Sequence, residues 1–307
     1  MFGFIIKRLV SMIPILVGVS LITFILIHLV PVEPAEAYLR LSNGVPTEEA
    51  IQEVREELGL DKPLYAQYVD WLYKAVQLDF GISFVTKQPV WDDMMIYIPA
   101  TVQLTVTAFV LMLILSLPIG VFSALYKDKL FDQISRMFSY VGASMPGFWL
   151  GFLLIYFFSL QLNLLPTSGK GTLIHLVLPS LTLALAHIST YARLLRTSML
   201  ENFNQPFVFY ARARGLRERT VIVKHVLKNA LLPVITVAGM GFGYMLAGSV
   251  IVENVFAWPG IGRFFVSAVF NRDYPVIQCY VLFNTAIFVL VNMIVDIACA
   301  AFDPRIR

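Results

Sequence analysis

An all-α integral membrane protein with six transmembrane helices is the fold class this chain predicts, on three observations. Hydrophobic residues make up 58% of its 307 positions and charged residues 14%, a balance foreign to water-soluble domains of this length. Six apolar stretches are long enough to cross about 30 Å of hydrocarbon, near 9–30, 98–126, 134–161, 177–196, 231–252 and 276–300. Charge also segregates by side. With both termini inside, fifteen Lys and Arg face one compartment and eight the other, whereas acidic residues divide five to fourteen and Asp296 alone falls within a span. The positive-inside rule then puts both termini in the cytoplasm.

The first span follows Lys7 and Arg8, and Ala35-Glu36-Ala37 has the small-x-small pattern of a signal-peptidase site. Its apolar run of about 22 residues is too long for a signal-peptide core, so it is read as a membrane helix. Residues 31–98 form an extracytoplasmic insert with twelve acidic and five basic residues. Helices are expected over 47–58, where Thr47 precedes Glu48 and Glu49, and over 63–77. The insert reads either as a solvated cap or as a docking surface for a delivery protein.

The fourth span carries Arg193 and Arg196 at its inner end, where long side chains snorkel or leave the membrane. Residues 193–230 follow as a cytoplasmic segment, with eight basic and two acidic residues between Arg193 and Lys228. After Gly215 the pattern predicts an amphipathic helix, with Ile222, Val223, Val226, Leu227 and Ala230 on one face and Arg217, Lys224 and Lys228 on another. Charge alone fits a loop resting on anionic lipid headgroups equally well.

The fifth span carries Gly239, Gly241, Gly243, Ala247, Gly248 and Ser249, a surface that admits close helix approach, either within the chain or at a subunit seam. Between Glu253 and Pro275 come Phe256, Trp258, Phe264, Phe265, Phe270 and Tyr274. Aromatics of this density predict an interfacial turn and short helix. Cys279 and Cys299 lie on the sixth span, about 30 Å apart on one helix, too far to bridge.

Catalytic patterns are missing. Gly169-Lys170 lacks the earlier glycine of a P-loop, and neither HExxH nor Cys-x-x-Cys nor a nucleophile elbow occurs. Polar groups within spans are costly and mark a pathway or a helix partner. Gln103, Ser116, His187, Asn284, Asn292 and Asp296 are those groups. Met112, Met240, Met245 and Met293 offer soft thioethers or plain core filling. His187, Met240, Met245, Asn284, Asn292 and Asp296 are retained as pathway candidates, and no firm metal site is assigned.

Tyr210-Ala-Arg-Ala-Arg-Gly215-Leu216, followed by His225, Asn229 and Leu232-Pro233, resembles the "EAA" loop of bacterial ABC importer permeases in the form used by the peptide, opine and nickel uptake family. Phe209 stands where the general motif has Glu, and Gly215 to Pro233 is 18 residues instead of 13. Glu253–Arg263 and Asn271–Gln278 look like signatures of the same family. Tyr38–Asn43, Leu78–Phe84, Phe270–Cys279 and Asp303–Arg307 look closest to the first permease subunit of its nickel branch.

The resemblance implies one type I ABC importer transmembrane domain over 1–307, in a bacterial cytoplasmic membrane. It implies four kinds of neighbour: a second related permease subunit, two cytoplasmic ATP-binding subunits, an extracytoplasmic solute-binding protein and membrane lipid. Neither nucleic acid nor a cofactor is implied. Tyr210, Ala211, Arg212, Ala213, Arg214, Gly215, Leu216 and His225 would couple the chain to the ATPase, which alone hydrolyses ATP. The cargo implied is nickel ion or a nickel chelate, with di- or oligopeptides and metal–opine chelates as the alternative. From another class, a secondary transporter acting alone stays open.

Overall fold

The computed structural model describes residues 2–42 and 45–302, with side chains over 6, 8–42 and 45–297. Asn43, the stretch Asp303–Arg307, and the side chains of Lys7 and Cys299 lie outside the described residues. Twelve helices are described: α1 Phe2–His28, α2 Pro34–Leu41, α3 Glu48–Glu57, α4 Leu64–Val76, α5 Val90–Leu125, α6 Leu130–Ser144, α7 Gly147–Gln161, α8 Leu173–Phe203, α9 Pro206–Ala213, α10 Glu218–Val255, α11 Ile261–Asn271 and α12 Tyr274–Phe302. Five of them, α1, α5, α8, α10 and α12, are long and apolar enough to cross a membrane. The pair α6–α7 makes a sixth span when taken together, bent by 111°.

That bend interrupts the third span expected over 134–161. Proline disfavours the helical conformation in the residue before it, and Met145 before Pro146 is extended, at φ −84° and ψ 129°. The apolar run continues across the break, which hides it from hydropathy.

The chain folds as two compact units. One comprises Met1–Thr101 and Pro259–Met293. Here α1 buries Met12, Ser20, Phe24 and Ile27, spaced as one helix face, while Ile13, Ile22 and Leu26 on the other faces stay about 60% exposed. In hydrocarbon that apolar exterior is at no disadvantage. The helices expected in the insert form as α3 and α4, and α2 is added to them. Thr47 accepts a hydrogen bond from the Ala50 amide at 3.3 Å, a cap of the kind that stabilises by about 1 kcal/mol.

Polar ties hold the insert. Arg55 donates two bonds to Glu33, at 2.9 and 2.7 Å, and the guanidinium holds that carboxyl below the usual range. The Gln67 amide nitrogen donates to the Leu60 and Lys62 carbonyls while its oxygen meets His28 Nε2 at 3.2 Å. Ser83 donates to the buried Asp273 at 2.5 Å, pinning the end of the insert to the turn before α12. Beneath these ties Ile27, Ala37, Phe84 and Tyr274 form a buried cluster.

The second unit comprises Val102–Trp258 and Ile294–Arg307, and α8 is its spine, packed on α6, α7 and α10. The Tyr191 hydroxyl donates to the Val237 carbonyl at 3.0 Å. A Cβ at Gly241 would overlap that hydroxyl, so only glycine admits this approach. A Cβ at Gly239 would likewise overlap the Val295 side chain. The small-residue surface of the fifth span is therefore used, at both positions, for packing within the chain. Aromatics after Glu253 depart from expectation too: Phe256 and Trp258 are 1% exposed, core residues instead of interfacial anchors. The short helix expected there forms as α11, and Phe265 stacks on Tyr280 at 4.1 Å.

Candidate functional site

The basic segment 193–230 is mostly helix. α8 runs on to Phe203, α9 follows Gln205, and the stretch expected to be a separate amphipathic helix is the first part of α10. Pro206 at the first position of α9 supplies a preset φ and lacks only an amide that the helix would leave unbonded. Gly215 ends it, at φ +75°, where a side chain would be strained. The Leu216 amide bonds the Ala211 carbonyl at 3.3 Å and the Gly215 amide that of Arg212 at 2.9 Å, the two bonds of a Schellman turn. Across it Arg212 donates to Glu218 at 2.6 Å.

This closure fixes which way α9 faces. Val208 and Ala211 are buried, packed toward the start of α10, whereas Phe209 is 59% and Tyr210 72% exposed. Arg214, Arg217, Arg219, Lys224 and Lys228 are exposed as well. The result is a two-ring apolar knob among cations, seated on a helix that continues into the membrane.

From Val221 to Leu227 that helix is π-wound. Wider winding brings residues five apart onto one face, and Val221 and Val226 are both fully buried, with Ala230 below them. The apolar face assigned from a 3.6-residue period therefore shifts: Val223 is 50% exposed. His225 is half-buried, and its carbonyl accepts from Asn229 at 2.7 Å.

Sequence reasoning missed a residue pair that joins α6 to α8. Arg196 grips Asp132 with two bonds of 2.6 and 2.7 Å, and the Asp132 side chain is wholly buried. Asp132 also accepts the Asp128 amide at 2.9 Å, so one carboxylate ties the α5–α6 turn to α8. Sixty-four positions separate the partners, and an unpaired Arg at a span end carries no mark of its partner.

The pathway candidates are dispersed. His187 is half-buried on α8, its ring 6.3 Å from that of Tyr191. Met240 is 41% exposed and Met245 fully buried, so the two thioethers do not share a face of α10. Asn284, Asn292 and Asp296 are half-buried along α12. Among the described residues no three His, Cys, Asp or Glu side chains are grouped to hold a metal ion.

Residues 116–307 match the family described as "Binding-protein-dependent transport system inner membrane component", and residues 1–105 match "Binding-prot-dependent transport system membrane comp, N-term". This chain belongs to the binding-protein-dependent transport permeases. As such a permease it is a multi-pass bacterial inner-membrane subunit of an ABC importer, and the reading as a transporter working alone falls. The permease is 41% identical over 308 residues to the "Glutathione transport system permease protein GsiC" of Escherichia coli (strain K12) and to its namesake from Shigella flexneri serotype 5b (strain 8401). Each alignment covers 100% of this chain and 99% of the relative. "Crystal structure of an amino acid ABC transporter with histidines" shares its fold, with TM-score 0.53 and 18% identity over 70% of this permease and 94% of that chain.

Proposed function

We propose that this permease forms half of a translocation pathway for short peptides, paired with a second permease, two cytoplasmic ATPases and an extracytoplasmic binding protein. Both termini and the α9 surface face the cytoplasm, and the insert of residues 31–98 faces outside. The exposed Phe209–Tyr210 knob carries the coupling assignment. Aromatics exposed to water on a rigid, backbone-closed seat form a contact that a partner cleft desolvates. When ATP draws the ATPases together, α9 moves with them, and because it is packed on the start of α10 the displacement enters the spans.

Peptide as cargo is supported by the full-length relatives named for glutathione, itself a tripeptide. The nickel expectation rests on four short stretches, one of them beyond the described residues. Uptake in cells lacking the gene, complemented by this chain, decides between them: the labelled dipeptide Ala-Phe accumulates and radioactive nickel does not. Accumulation of nickel alone would overturn the peptide assignment. For coupling, Phe209→Ser with Tyr210→Ala should lower uptake at least tenfold with the permease still inserted. Unchanged uptake in that variant would remove α9 from the coupling role.

A further inference from the structure

A cavity of about 730 Å³ lies within the first unit, between the outer end of α1, the insert helices and the start of α12. Its volume falls in the range of small-molecule sites. The floor is apolar: Phe24, Ile27, Phe80 and Phe84 line it and are 5–7% exposed. The rim is acidic. Five carboxylates and two lysines line it, and Lys62 is spent on Asp70 at 2.7 Å. Glu56, Glu57, Asp61 and Asp79 then line the cavity with Lys74 and the His28 imidazole as the remaining basic groups.

An apolar floor beneath a carboxylate rim suits one chemistry, an ammonium joined to a hydrophobic body. We infer that this cavity binds the free amino-terminal end of short apolar peptides, an assignment that rests on the peptide reading above for the source of the ligand. On the orientation proposed, it opens outside. The same charge balance disfavours glutathione, which has two carboxylates for its one ammonium. Cargo preference would thus differ from that printed in the relatives' names, toward peptides of neutral or positive charge.

Equilibrium binding of Ala-Phe to the full-length permease tests this, assembled with its membrane and ATPase partners in nanodiscs and with the binding protein omitted. Ala-Phe should saturate the site. N-acetyl-Ala-Phe and glutathione should each bind at least tenfold more weakly. Glu57→Gln with Asp79→Asn, two isosteric changes on exposed side chains, should weaken Ala-Phe by a similar factor. Equal affinity for Ala-Phe and its acetylated form, or no loss in the double variant, overturns the inference. Failure to bind Ala-Phe in an importer that still accumulates it would overturn the cavity assignment and leave the peptide function standing. The predicted binding pattern in an importer that takes up only nickel would uphold the cavity and overturn the function.

Discussion

Asp132 is the residue with most at stake. Stripping a buried carboxylate of its hydrogen-bonded cation costs about 3–5 kcal/mol when nothing compensates it, and Arg136, 3.8 Å from Asp132, offsets part of that loss. Arg196→Ala should therefore lower the unfolding temperature in detergent sharply, and Asp132→Leu with Arg196→Met should recover most of the loss. A double variant as unstable as the single would show that the stranded charge is not the source of the loss. Gly215 poses a smaller backbone problem. At φ +75° a Val there costs about 1–2 kcal/mol, and fraying of the Schellman turn should raise hydrogen exchange at the Leu216 amide. Gly215 was legible from sequence because glycine between two helical patterns has few other uses. The Asp132–Arg196 pair was not, since nothing local to either residue encodes a partner in another helix.

Among elements, the join of α2 and α3 depends on pH. Glu33 has its folded pKa lowered by the Arg55 guanidinium. Its contribution is therefore fully present above the unfolded carboxylate value, about 4.3, and is lost as pH falls through the folded value. The pair is more than a third exposed, so solvent screening keeps the effect small. Protection of the α3 amides, corrected for intrinsic exchange, should fall between pH 5 and 3 and become flat in Glu33→Gln. Helices of the insert were legible because Thr47, Glu48 and Glu49 are local start signals. The bend between α6 and α7 was overridden in the sequence reading by an apolar run that Met145-Pro146 does not interrupt. Phe256 and Trp258 were misplaced for a related reason: aromatics that anchor at a bilayer surface and aromatics that fill a core are the same residues, and only packing separates them.

For the whole molecule, composition and length sufficed for the class and nearly for the number of crossings, because hydrocarbon accepts only apolar helices of a set length. Orientation is open to a direct test. A cysteine replacing Tyr65, 75% exposed in the insert, should react with an impermeant thiol reagent outside intact cells, or spheroplasts where an outer membrane intervenes. One replacing the exposed Gln205 should react only after lysis. Labelling of position 205 from outside would invert the topology. The pathway was least legible, since isolated polar residues in spans serve helix packing as readily as transport. Met240 and Met245 fall on different faces of α10 because five residues make more than one turn of ordinary helix.

The π-wound stretch of α10 amounts to a stored register. A π bulge holds one residue more than the α-helix that would span the same ends. Winding it down to α would therefore turn everything on one side by about 100° relative to the other. Below the stretch lies the membrane part of the helix, and before it lies the seat of α9. A pull on α9 has accordingly two ways to be expressed, as tilt of a rod or as a ratchet click within it. Deleting Lys224 would empty the store in advance and leave the apolar phase below Lys228 intact. Such a chain should still insert and assemble. If the click is part of the stroke, an importer carrying it should hydrolyse ATP without moving cargo, whereas a pure rod would go on transporting.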